Sequence, residues 1–373
     1  MTETKVNREA KAKMPGTHGL TETDVATSPE ASPEATQPIL SITDLTLGVK
    51  RGNSTTSIVD GVSFDVAPGD RFGLVGESGS GKSMTLRAIA GLLPGGVEVL
   101  SGHAYFRGVD LFSLSAEDRR ALMGPQIAMV FQEPMTALNP VMRVGEQIAE
   151  GSRRHLGLSR KAAMGLAVDM MAKTGIPDPI RRARAYPHEL SGGLRQRIMI
   201  AMALSCRPKL LLCDEPMTAL DVTVQHQVLN LLEELCDDFD ASLLFVTHDL
   251  AVVNQTCSEL AVMYSGRIVE FGTVASVLQN PRHPYTKGLL DSAPDFDQPD
   301  RALIPIPGFP PHLADKTPGC SFAPRCSFAT EACLTGTPPL TTVRPTTMQP
   351  TTVQPGAGVA CYRSDEIAEG VLA

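Results

Sequence analysis

The run Gly76-Glu-Ser-Gly-Ser-Gly-Lys-Ser83 constrains this chain more than any other feature. It fits G-x-x-x-x-G-K-[S/T] and lies between an apolar run, Arg71–Val75, and a helix-forming run that opens near Met84. That strand–loop–helix setting is what the pattern requires, and a chance glycine-rich turn would lack it. Glycines let the backbone curl around a phosphate without Cβ clashes. Their N–H groups and the helix N-terminus supply positive partial charge. Gly76, Ser78, Gly79, Ser80, Gly81 and Met84 are therefore expected to line a nucleotide polyphosphate. Lys82 is expected to reach its outer phosphates, and the Ser83 hydroxyl to ligate Mg²⁺.

The rest of the chain supplies the matching sheet. Leu210–Cys213 and Leu243–Val246 are short apolar runs without alternation, as strands covered on both faces are. Between them, Val224, Val228, Leu231, Leu232 and Leu235 recur at helical spacing. Strand, helix, strand in that order predicts a βαβ unit in a doubly wound parallel sheet. Asp214 and Glu215 close the first run, where an Asp helps to place Mg²⁺ and a following Glu polarises a water. Leu40–Leu47 and Val62–Val66 read as two more short strands, with a turn at Asp60-Gly61. Residues 133–184 are Met-, Ala- and Arg-rich with helical spacing in Val144–Ile148 and Ala162–Met171, and read as a helical insertion.

Composition narrows the class. The formal charge of −8 opposes non-specific binding to a nucleic-acid backbone. The longest strongly apolar run, Ile198–Cys206, is too short to cross a bilayer, and the first residues mix both charge signs without an apolar core. Residues 1–38, rich in Thr, Glu, Ala and Pro, read as a disordered tail. Beyond Pro281 the chain turns Pro-rich and loses periodicity, and TTVRP, TTMQP and TTVQP form a low-complexity spacer.

Further motifs share one family's order. Leu190-Ser-Gly-Gly-Leu-Arg-Gln196 resembles the signature of ABC transporter nucleotide-binding subunits, with Leu194 where Gln is commonest. Gln132 matches their Q-loop, Ala219-Leu220-Asp221 their D-loop and His248 their switch histidine. The resemblance implies an α/β fold: a P-loop NTPase core of the ABC ATPase type over 39–281, with a helical subdomain at about 133–205 and a small Cys-containing extension over 282–373. It further implies that Glu215 is the general base and that His248 contacts the γ-phosphate. Gln132 would join Ser83 and Asp214 at Mg²⁺ and report nucleotide state to a membrane subunit. Ser191, Gly192, Gly193 and Arg195 would face ATP bound to a partner ATPase, beside Asp221. No aromatic for stacking adenine is evident near Leu47-Gly48-Val49.

His283-Pro-Tyr-Thr and Phe131–Pro140 resemble the oligopeptide, dipeptide and nickel importer branch. The implied function is ATP-driven uptake of oligopeptides or dipeptides, with nickel or another small solute as the alternative cargo. Implied partners are a second ATPase, as a paralogue in a heterodimer, two permease subunits and, indirectly, an extracytoplasmic substrate-binding protein, with no nucleic acid. The implied place is the cytoplasmic face of the membrane, peripherally. A soluble ABC ATPase acting on DNA or ribosomes is the rival reading. Residues 132–191 hold no sustained heptads of a DNA-repair coiled coil, and the chain carries one ATPase core.

Cys206, Cys213, Cys236 and Cys257 lie in apolar contexts and read as core residues. Cys320, Cys326, Cys333 and Cys361 stand apart in the tail. Disulfides are disfavoured in a reducing cytosol, and the close Cys pairs of a zinc site are absent. Four irregularly spaced cysteines suit a [4Fe–4S] cluster, a reading that the branch resemblance strengthens; zinc and a metal-free tail remain open.

Overall fold

A computed structural model of the chain describes residues 37–51, 54–217, 221–293, 302–311, 318–342 and 357–371. The tail expected before Ile39 and most of the Thr/Pro repeat lie outside these residues.

Five parallel strands form the centre, in the order Ile127–Val130, Leu210–Asp214, Ser242–Thr247, Arg71–Val75 and Glu259–Tyr264. Arg267–Thr273 then pairs antiparallel with Glu259–Tyr264. The extension adds two short strands to that edge, Gly358–Val359 and Thr341–Thr342. The central strands are covered on both faces, and their side chains alternate between two cores as period two demands. Leu210, Leu212, Leu244 and Val246 join one core, with Leu86 and Ile89 of the helix Lys82–Ala90. Leu211, Cys213, Leu243 and Phe245 join the other, with the helix Val222–Phe239 and the helical insertion.

A second, antiparallel sheet of four strands closes the first core: Ser54–Val66, Leu40–Arg51, Val97–Phe106 and Val109–Asp110. The expected turn at Asp60-Gly61 is instead a bulge within one long strand, since the register shifts between Leu45↔Val62 and Leu47↔Val59. Gly61 takes a φ of 65° there, and its N–H donates to Thr46 Oγ1. A glycine absorbs the extra residue without ending the ladder.

The insertion is helical as expected, with Val144–Leu156, Arg160–Lys173 and Gly192–Leu204 as its long members. Ser159 and Ser191 each cap the helix they precede. Beyond Pro281, where the sequence shows no clear periodicity, the chain still forms regular elements. Pro284–Ser292 is a helix, with the His283 ring accepting from Tyr285 N–H and Pro284 at the first position. Proline is pre-set for that position. A third core cluster, built on Tyr264, Tyr285 and Phe322, fastens this region to the parallel sheet.

Candidate nucleotide-binding site

The strand Arg71–Val75 runs straight into the glycine-rich loop, which ends in the helix Lys82–Ala90. Its glycines are required by geometry. Gly76 has a φ of 151°, and a Cβ there would lie 2.1 Å from the Met263 carbonyl oxygen. Gly81 has a φ of 107°, and its Cβ would meet Met263 Cε at 2.7 Å. Gly79, at φ 83°, faces open space.

Lys82 is buried, and its ammonium donates to Gly76 O over 2.7 Å and to Glu77 O over 3.0 Å, with Ser80 Oγ at 3.4 Å. Burial lowers its pKa, opposed by Glu215, Asp214 and Glu77. Ser83 Oγ donates to Asp214 Oδ1 over 2.6 Å, joining the loop to the end of the neighbouring strand. Burial raises the Asp214 pKa, and the Ser83 hydrogen bond opposes it.

Glu215 follows at a φ of 43°, a left-handed conformation unusual for a residue with a side chain. Its N–H still donates to Val246 O. Its Oε2 accepts from Gln132 Nε2 at 3.4 Å and stands 3.2 Å from His248 Nδ1. The Glu215 side chain is 11 % exposed against 60 % for His248, so a sheltered carboxylate meets an accessible imidazole. Residues far apart in sequence thus converge because the loops after three adjacent parallel strands open at one sheet end, where such sheets place their ligands.

The signature residues form a separate feature. Ser191 Oγ accepts from Leu194 N–H, and Ser191 and Gly192 are exposed at the start of Gly192–Leu204. Arg195 is turned inward, with Nε donating to Pro187 O over 2.7 Å. Asp221 caps Val222–Phe239 by accepting from Val224 N–H; Ala219 and Leu220 lie outside the described residues. Leu47 is buried and Val49 packs beside the same core.

Cys320, Cys326, Cys333 and Cys361 line one small cavity with His283, Phe322 and Arg363. Burial raises the pKa of Cys320 and Cys326 and pushes Cys361 up to about 11, which favours thiols over thiolates. Among the described residues no group of three or more His, Cys, Asp or Glu side chains is placed to hold a metal ion. The expected iron–sulfur or zinc ligand set is therefore brought around one space without being assembled. The other four cysteines have the expected core settings, and burial pushes Cys236 and Cys257 up to about 12.

Comparison with known proteins decides the family. The ABC transporter family profile matches residues 59–218, and the profile for the oligopeptide/dipeptide transporter C-terminal region matches residues 269–333. The dipeptide transport ATP-binding protein DppD of Bacillus subtilis is 47 % identical over 291 residues, 78 % of this chain and 87 % of that protein. The chain belongs to the ABC transporter ATP-binding proteins. The oligopeptide transport ATP-binding protein OppD of Haemophilus influenzae is 45 % identical over 305 residues, 82 % of this chain and 94 % of its own. A dimeric ATP-binding cassette bound to ADP and Pi shares the fold, with a TM-score of 0.57 and 24 % identity over 63 % of this chain and 98 % of that one. Membership makes this chain an ABC ATPase, for which ATP and Mg²⁺ are the expected ligands. Among the described residues no helix is long and apolar enough to cross a membrane.

What sequence reading missed in this ABC ATPase is the wiring between the loop and the extension. Glu77, Tyr285 and Arg325 meet behind the phosphate loop. Glu77 occupies an unspecified position of the loop pattern, and Arg325 lies 248 residues away. No local sequence signal marks such a pair.

Proposed function

We propose that this chain is the ATP-hydrolysing subunit of a peptide importer, working peripherally on the cytoplasmic face of a membrane beside a separate permease. The observation that carries this reading is the convergence of Gln132 and His248 on the Glu215 carboxylate, next to the Lys82, Ser83 and Asp214 cluster.

The loop N–H groups around Gly79–Ser83 and the Lys82 ammonium bind the phosphates. Lys82 rests on the Gly76 and Glu77 carbonyls and exchanges part of that set for phosphate oxygens. Ser83 and Asp214 bring hard oxygen donors together, and Gln132, held on the adjacent Glu215, would complete a set that fits Mg²⁺. When bound, that ion supplies charge neutralisation at the outer phosphates. Glu215 takes the proton of the attacking water. His248 donates through Nδ1 to Glu215 and holds the carboxylate in place.

The cap at Ser191, Gly192 and Gly193 serves ATP held by a second ATPase subunit, with Arg195 fixing the segment and Asp221 the facing corner. Two nucleotides close such a pair, and hydrolysis reopens it. We take the second subunit to be a paralogue. The permease pair docks in a groove of about 700 Å³ beside Phe131, lined by Leu92, Met123, Met129 and Met202. A substrate-binding protein delivers cargo from the far side.

The four tail cysteines are proposed to hold a [4Fe–4S] cluster. The four thiols line one cavity and would hold the cluster there as thiolates, each losing its proton on binding, and the cluster would staple a segment with little core of its own. Broad visible absorption from anaerobically purified protein, lost in C326S/C333S, is the expected result; colourless protein with stoichiometric zinc overturns it.

The deciding experiment reconstitutes the complex in vesicles and measures ATP hydrolysis with peptides or Ni²⁺ outside. Stimulation by peptides is expected. Stimulation by Ni²⁺ alone overturns the cargo, and hydrolysis independent of the permease overturns the transport reading.

A further inference from the structure

The phosphate loop is gripped from behind by the C-terminal extension at one residue. Glu77 engages with all of its polar groups. Its N–H donates to Tyr285 Oη over 2.7 Å, and its carbonyl oxygen accepts from Lys82 Nζ over 3.0 Å. Its carboxylate accepts from Arg325 in bidentate fashion, Nη1 at 2.6 Å and Nη2 at 3.0 Å.

Arg325 is itself immobilised. Its Nε donates to Pro307 O over 2.8 Å, and the guanidinium lies near the rings of Tyr264 and Phe322, 5.8 and 5.9 Å from their centroids. Its side chain is 4 % exposed and that of Glu77 27 %, so water screens the pair poorly. Paired and caged in this way, the guanidinium is a fixed donor fork. A carboxylate in a loop that receives a polyphosphate repels its ligand unless a cation neutralises it.

We infer that Arg325 and Tyr285 are positioning residues of the nucleotide site: they pin Glu77, cancel its charge, and so set how Lys82 and the loop N–H groups meet the phosphates. The inference rests on the ATP-site reading above.

The test uses the full chain assembled with its permease and partner ATPase. R325Q leaves Glu77 charged and unpaired, and is expected to raise the KM for ATP and the ADP dissociation constant about ten-fold, with kcat within about two-fold. R325K keeps the positive charge but loses the fork, and is expected to recover only part of the loss. The decisive variant is E77Q/R325Q. Removing the carboxylate removes the repulsion, so affinity returns to within about three-fold of the wild type, a rescue that a merely structural arginine does not show. Wild-type affinity in R325Q, or no recovery in the double variant, overturns the inference. If R325Q does not fold, Y285F decides, since it deletes one oxygen and keeps the ring. A rise of about three-fold in KM at constant kcat is expected, and unchanged KM overturns the proposal. K82A separates the two readings. If K82A binds ATP as the wild type does, the nucleotide site itself is misassigned; if K82A loses binding and the Arg325 and Tyr285 variants do not, the positioning role alone falls.

Discussion

His248 Nδ1 stands 3.2 Å from Glu215 Oε2, the same oxygen that accepts from the Gln132 amide. A carboxylate only accepts, so Nδ1 carries the ring proton, and Glu215 is oriented from two sides in its nearly buried setting. On the proposed reading this carboxylate is the base of the reaction, and E215Q removes the basicity while keeping the shape. Turnover is expected to fall by about 10²–10⁴ with ATP binding retained. Phosphate release and nucleotide titration measure the two; turnover within a few-fold of wild type takes Glu215 out of the role.

Lys82 gives a complementary prediction. Its ammonium has three oxygen neighbours inside the loop and is almost wholly buried. K82A is expected to weaken ATP binding by about two orders of magnitude, the scale for truncating one member of a buried charged contact. Equilibrium binding of a fluorescent ATP analogue tests it, and unaltered affinity excludes the phosphate contact.

The signature cap makes a prediction about assembly. Ser191 holds Leu194 N–H, and a Cβ on Gly193 would press Val224 Cγ1 at 3.1 Å. S191A costs about 1 kcal/mol of helix stability. Combined with E215Q, which traps ATP, S191A is expected to abolish nucleotide-driven pairing with the second ATPase subunit. Light scattering with and without ATP reads this out, and intact pairing would separate the cap from the partner's nucleotide.

His283 sets a pH dependence. Burial lowers its pKa to about 3 from 6.5, and its Nδ1 accepts from Tyr285 N–H, so the ring is neutral in the fold. The unfolded chain takes up a proton below 6.5 that the folded chain refuses. Its contribution to stability is thus complete above 6.5 and is lost as pH falls toward 3, at about 1.4 kcal/mol per pH unit. Glu270, raised to about 7 by burial, gives the opposite slope between 4.5 and 7, and it does so in wild type and variant alike. H283N keeps a cap acceptor and cannot titrate. The stability advantage of wild type over H283N is expected to shrink on acidification between pH 6.5 and 5; urea unfolding measures it, and a constant difference refutes the assignment.

Arg71–Val75, Leu210–Asp214 and Ser242–Thr247 were legible because fully buried parallel strands leave continuous apolar runs. The antiparallel sheet was harder to read. Asp60-Gly61 carries a turn signature, yet pairing across Leu45 and Leu47 holds the strand together through it. The helix Pro284–Ser292 was hidden by the Pro-rich stretch that it opens, although Pro284 at the first turn is itself a start signal.

The sequence by itself determined the phosphate loop, the acidic strand end and the signature motif, because each is a local pattern of a few adjacent residues. Only the tertiary structure decided what those pieces meet. Gln132, Glu215 and His248 share one carboxylate because parallel strands align their loops. Glu77 and Arg325 pair across 248 residues because an aromatic core carries the extension behind the loop. Contacts of that range leave no periodicity in a sequence; they exist only once burial has brought the two segments to the same place.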